Sequence, residues 1–263
     1  MAEKEKVGFW ARFFGSTIWK SIFRVGIPRD RRARIMQVLS NFFLHLHPVS
    51  IPKHAVKLKY TWCMGGLSFF LFIVLTVTGV LLMFYYRPTI EYAYNDVIDL
   101  RETTPMGIMR EIHRWGAHLM VIAVWFHMFR VFMTGSYKAP REFNWCIGVI
   151  LLVFTMLLSF TGYLLPWDQL AIWAITVGAN MAAATPFVGQ EGPGVALLSI
   201  GNVGLIGRTS DARFLLLGDT SIGAGALLRF YVFHCVFFPL IAVMFMAVHF
   251  WRVRKDGGIS GPM

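Results

Sequence analysis

Four stretches of the chain are apolar at nearly every position, and polar residues gather between them. They run at about Trp62–Phe84, Ile112–Met133, Trp145–Leu165 and Leu227–Trp251. Each approaches or exceeds the roughly 20 residues a helix needs to cross hydrocarbon. The pattern predicts an all-α membrane protein built on a bundle of four transmembrane helices. A different periodicity precedes them. Over residues 7–24, Phe9, Trp10, Phe13, Phe14, Ile18, Ile22 and Phe23 follow helical spacing, with Arg12, Ser16, Lys20 and Arg24 on other faces. This predicts an amphipathic helix lying in the membrane interface, with the basic run Arg29–Arg34 against anionic headgroups. Docking to a partner protein is the other reading of that helix. The division expected is therefore an amphipathic extension over 1–59 and a membrane domain over 60–263.

The connections also carry information. Residues 85–111 form a mixed-charge loop ending near Pro105, and Gly135–Phe143 is a short return containing Pro140. The connection over about 166–226 is too long for a passive turn. Its first part, Leu170–Ala184, is apolar enough for a short surface helix. Residues 189–225 are Gly-rich and read as irregular.

Composition agrees with a membrane location: 56% of the 263 residues are hydrophobic. The formal charge of +11 would fit nucleic acid, but its distribution fits a membrane better. With four spans and an inside N-terminus, 18 Lys and Arg fall on one side and seven on the other, read from the sequence. By the positive-inside rule both termini are expected in the cytoplasm. The charged start has no uninterrupted apolar core or small-residue cleavage site, so no signal peptide is expected. Cys63, Cys146 and Cys235 form no Cys-x-x-Cys pair, and an inert buried thiol is the simplest reading of each.

Histidines supply the candidate chemistry. His113 and His127 lie 14 residues apart in the second stretch, and His234 and His249 lie 15 apart in the fourth. Fourteen residues rise about 21 Å, so the members of each pair sit on roughly one helix face near opposite membrane surfaces. Parallel helices would bring His113 to His234 and His127 to His249. Each such meeting could hold one haem iron axially. A single histidine in an apolar helix usually does no more than bond a carbonyl, but four at matched spacing in two spans make a pattern. Ionisable groups at membrane depth are costly and mark function.

Glycines repeat the spacing: Gly65 and Gly79 are 14 apart, as are Gly148 and Gly162. They would let a flat macrocycle approach the backbone; close helix packing is the alternative. Arg110 and Arg114 bracket His113, and Arg130 follows His127 by about a turn. With Arg141 they are candidates to bind haem propionates, or else to anchor helix ends at headgroups.

The segments HRWGAHLMVIAVWFHMFRVFMTG, KAPREFNW, TGYLLPWDQ and LLRFYVFH, and the ending HFWRVRK…GISGPM, resemble cytochrome b6. That is the N-terminal half of split cytochrome b in quinol-oxidising cytochrome bc complexes. The likeness runs from about Tyr60 to the end. It implies a four-helix haem bundle with His113 and His234 on the outer-side b haem and His127 and His249 on the cytoplasmic-side one. It implies a covalent third haem on Cys63, in YTWCMGG, and a quinone-site role for Arg254. Cys146 and Cys235 match no such role. The motif Pro-Glu-Trp-Tyr is absent, so a subunit IV-like C-terminal half is expected separately. A Rieske iron–sulfur protein, a c-type cytochrome, quinol as substrate and a homodimeric complex are the other implied partners.

The chain departs from the family by an N-terminal extension of roughly 28 residues and a longer outer connection near Leu197–Ser221. An acidic residue expected before Cys63 is missing, which puts the cytoplasmic proton path in question. These departures point to a bacterial inner membrane more than a thylakoid. The expected function is electron transfer in a quinol:cytochrome c (or plastocyanin) oxidoreductase that translocates protons. A dihaem anchor of another respiratory dehydrogenase or hydrogenase would explain the histidines but not PWDQ, ISGP or Cys63. A transporter with intramembrane histidines is the non-redox alternative.

Overall fold

The computed structural model describes residues 8–22, 29–41, 51–103, 105–200 and 203–260. Secondary structure among these is helical apart from one antiparallel pair of two-residue strands. The segment expected as one amphipathic helix is two, α1 (Phe9–Gly15) and α2 (Thr17–Ile22). The break is at Ser16, whose backbone is extended and whose hydroxyl donates to the Phe13 carbonyl at 2.8 Å. A serine that bonds its own backbone competes with the helix ladder. Phe9, Trp10, Phe13 and Phe14 remain exposed, in edge-to-face and stacked contact with one another. Residues 7, 23 and 24 of that expectation lie outside the described residues. The basic run enters α3 (Arg31–Ser40), capped by Asp30, whose carboxylate accepts from the Ala33 amide at 2.7 Å.

A short helix, α4 (Leu58–Thr61), leads to the first span. Trp62 and Cys63 follow in left-handed conformation, with φ of 50° and 55°. Two such non-glycine residues in succession are an uncommon, strained entry into a helix. The first span is α5 (Met64–Met83), without a charged residue. Helix α6 (Ala93–Glu102), not foreseen, folds within the mixed-charge loop. Its buried Asp96 accepts from the Arg87 side chain at 3.0 Å and the Arg87 amide at 2.8 Å. The guanidinium, and then the amide, hold that carboxyl below the usual carboxylate range.

The remaining spans are α7 (Met106–Met133), α8 (Glu142–Leu164) and a continuous stretch, Ala224–Lys255. Among the described residues, four helices are thus long and apolar enough to cross a membrane. Helix α7 starts six residues before the expected 112, because Pro105 sets its start and Arg110, Glu111 and Arg114 continue the helix past its apolar part. Between α8 and the last span lies α9 (Gln169–Ala183), close to the surface helix expected there and capped by Asp168. The Gly-rich region holds strands β1 (Ser199–Ile200) and β2 (Val203–Gly204) and helix α10 (Ala212–Leu217). The last span is α11 (Ala224–Val232), a π turn at Phe233–Phe237, and α12 (Phe238–Lys255).

Helix α5 packs along α7, and α8 along α12, making two hairpin-like pairs. The buried core does not run down their middle. It lies at one end, where Ala171, Ile175 and Ala179 of α9 meet Leu164, Leu217, Ala226 and Phe230. Between the helix pairs runs a cavity instead.

Candidate functional site

The cavity has a volume of about 1530 Å³ and is lined by all four candidate histidines, with His118 beside them. That exceeds the roughly 300–1,000 Å³ of an ordinary small-molecule site. His113 faces His234 with ring centres 6.2 Å apart, and His127 faces His249 at 6.4 Å. The ring planes cross at 77° and 81°. Metal–imidazole bonds are about 2 Å long, so two imidazoles on opposite sides of one ion have ring centres about 6 Å apart. Both pairs have that separation. They are the pairs expected from helix geometry.

Second contacts set the tautomers at the His113 end. The Thr78 hydroxyl donates to the Val74 carbonyl at 2.7 Å, so its oxygen accepts from His113 Nδ1, 2.8 Å away. His234 Nδ1 donates to the Leu158 carbonyl at 3.1 Å, with the Thr161 hydroxyl at 3.3 Å. With the proton on Nδ1, the Nε2 lone pair is free for a metal. His249 Nδ1, at the other end, is buried with no hydrogen-bond partner among the described residues.

The four glycines each stand against one imidazole. A methyl group built at Gly79 would lie 3.0 Å from His113 Cε1, and one at Gly65 would lie 3.2 Å from His127 Cε1. At Gly162 it would lie 2.5 Å from His234 Cε1; at Gly148, 3.8 Å from His249 Cε1. Their first effect is to seat the histidine rings, three of them tightly. All four also line the cavity, where a flat group could approach.

The arginines divide by their partners. Arg110 and Arg114 are both engaged by Glu111, at 2.8 and 2.6 Å. Arg130 lies over the Tyr60 ring at 4.5 Å, and its Nε and one terminal nitrogen are buried without partners among the described residues. Arg141 donates to the Asp256 carbonyl at 3.0 Å and leaves Nε unpartnered. All four line the cavity. Arg254 is not among the lining residues; its neighbour Arg252 forms a 2.9 Å ion pair with Asp256. Cys63 is exposed at the start of α5 and does not line the cavity either.

Several residues at the site escaped sequence reasoning. Glu111 could have been read from its place between two arginines. Thr78 and Thr161 precede the His-seating Gly79 and Gly162 in a repeated Thr-Gly, a signal that was present. Asn144, buried on the cavity with an unpartnered Oδ1, gave none. The tail also joins the site: Gly258, Ile259 and Ser260 line the cavity. Ser260 is held by the Tyr60 hydroxyl, which donates to its carbonyl at 2.8 Å, and by the Ser136 side chain.

The donor set fits haem. It offers facing neutral imidazoles, glycine-seated rings, and unpartnered guanidinium nitrogens suited to carboxylates.

A family model described as cytochrome b/b6/petB matches residues 49–257. A cytochrome b6 of Heliomicrobium gestii is 38% identical over 218 residues, covering 82% of this chain and 91% of that protein. One from Porphyra purpurea is 39% identical over 214 residues, covering 81% and 88%. Among solved structures, a chain of a hyperthermophilic respiratory Complex III superposes with a TM-score of 0.64 at 27% identity. The match covers 77% of the present chain and 49% of that one, so the present chain spans about half the length of the solved chain.

Proposed function

Because the chain belongs to the cytochrome b/b6/petB family, we propose that it is the electron-carrying membrane subunit of a quinol:cytochrome c (or plastocyanin) oxidoreductase. The observation that carries this reading is the pair of facing histidine couples, 6.2 and 6.4 Å apart, at two levels of one bundle. Two b-type haems, when bound, supply one-electron redox chemistry at two depths of the membrane.

The chain's own residues do the rest. His113 and His234 hold the outer-side site, and His127 and His249 the cytoplasmic-side one. Thr78 and the Leu158 carbonyl fix two of the ring orientations. Arg130 and Arg141 offer positive charge where haem carboxylates would otherwise be buried unpaired. Arg110 and Arg114 share Glu111; Arg114 gives it Nε and one terminal nitrogen, whereas Arg110 gives it a single terminal nitrogen and keeps further donors for a carboxylate. Apolar helix faces exclude water between the two levels. Pro166 and Asp168 line the cavity, and the proposed outer side, where quinol would be oxidised, is at their end of it. A Rieske protein would take one electron there, and protons would leave on that side. Uptake on the cytoplasmic side would then charge the membrane.

Cys63 is assigned a covalent haem. Its exposure leaves the sulfur accessible, and Gly66, with open space beside it, would let a macrocycle lie near the backbone. The expected result is one haem-stained band at this polypeptide after denaturing electrophoresis. Coordination bonds do not survive unfolding, so the histidine-held haems should not contribute. Cys63→Ser should abolish the stain and leave the two b haems in place. An unstained wild-type band of unmodified mass would remove this assignment.

The function itself is tested by purifying the native complex. A Rieske protein, a c-type cytochrome and a subunit IV-like chain should accompany this one, and added quinol should reduce its b haem. A complex without a Rieske protein, carrying instead a dehydrogenase or hydrogenase subunit, would overturn the reading.

A further inference from the structure

Three of the four elements facing the two sites repeat at 14 residues: Gly65 with Gly79, His113 with His127, and Gly148 with Gly162. The fourth, His234 with His249, repeats at 15. In a regular α-helix 14 residues fall about 40° short of four turns, whereas 15 overshoot by about 60°. A regular last span would therefore turn one of its histidines away by the step of one residue. Yet the two facing pairs are nearly the same, at 6.2 and 6.4 Å and 77° and 81°.

The last span absorbs its extra residue in the π turn Phe233–Phe237, which contains His234. The Phe238 amide donates to the Phe233 carbonyl, five residues back. Such a widened turn holds one residue more than an α turn, and isolated π turns are frequent at functional sites. Pro239, one residue further on, explains its place. Proline has no N–H to give the Cys235 carbonyl, and its ring crowds that carbonyl, so the α ladder is disfavoured there. Phe233 and Phe238 stack across the turn at 5.4 Å.

We propose that the π turn is a register device, and that Pro239 is a positioning residue that keeps it open. It inserts one residue between the two ligands so that His234 meets His113 while His249 still meets His127. The inference rests on the proposed bis-histidine ligation and concerns how this chain achieves it with unequal spacings.

The test is a one-residue deletion in the native complex, read by electron paramagnetic resonance and redox titration. Removing the half-exposed Val236 together with Pro239→Ala leaves 14 residues between the ligands and nothing to hold the turn open. The span should close to a regular α-helix and keep both low-spin ferric signals. Pro239→Ala alone removes the cause of the turn but not the extra residue. It should shift the signal and potential of the His113–His234 site and leave the other site unchanged. Removing Val121 from α7 shortens a 14-residue spacing with no π turn beside it, and should lose one signal. Loss of the His113–His234 signal in the double variant would overturn the register device, as would an unshifted Pro239→Ala. A wild-type complex lacking two bis-histidine signals would instead overturn the ligation reading itself.

Discussion

His234→Leu is expected to remove the outer-side b haem and leave the cytoplasmic-side one in place. Leucine fills much of the imidazole's volume, so the span should still insert and pack. The opposing His113 would then be a single axial donor in a site built for two. One imidazole cannot sustain a six-coordinate low-spin centre. His127 and His249 lie about four turns away along their helices and keep their own contact. Redox titration of the b-haem absorbance should show one midpoint where the wild type shows two. His249→Leu should give the mirror result, with quinol still reducing the outer-side site when its reoxidation is blocked. Two unaltered haems in purified His234→Leu would remove His234 from the ligand set.

The second large effect is expected from a methyl group at Gly162. It would lie 2.5 Å from His234 Cε1, well inside contact distance. The neighbour is a ring pinned by the Leu158 carbonyl, so it cannot give way without losing that bond. Overpacking of this kind costs roughly 1–3 kcal/mol. Here the strain falls on a ligand, so Gly162→Ala should displace the ring and shift or abolish the outer-side signal. Gly148→Ala makes an informative contrast. Its methyl would sit 3.8 Å from His249 Cε1 and from Met128 Sδ, an ordinary contact. That variant should keep both signals, and equal damage at both glycines would contradict the seating argument.

Much of this arrangement was legible in the sequence. Apolar runs located four spans, and helical periodicity set the histidines at two matching levels, where His113 now faces His234 and His127 faces His249, because both signals are local to one helix. The glycines were found by spacing, but their neighbours were not. Which imidazole lies against Gly162 depends on α8 packing along the last span, and nothing in either helix alone states that. The arginines show the same limit. Arg110 and Arg114 looked equivalent to Arg130 until Glu111 was seen between them. The split of the first amphipathic segment at Ser16 and the π turn at His234 were missed for a different reason. A regular period was assumed through Ser16 and Pro239, two residues whose chemistry disrupts it.

The most direct measurement is haem quantification of the purified native complex, combined with low-temperature resonance of its oxidised form. The central claim is that His113–His234 and His127–His249 each hold one haem. It predicts two b haems per copy of this chain, both low-spin with two imidazole ligands, titrating at separate potentials. A chain carrying no b haem, or a single one, would contradict it.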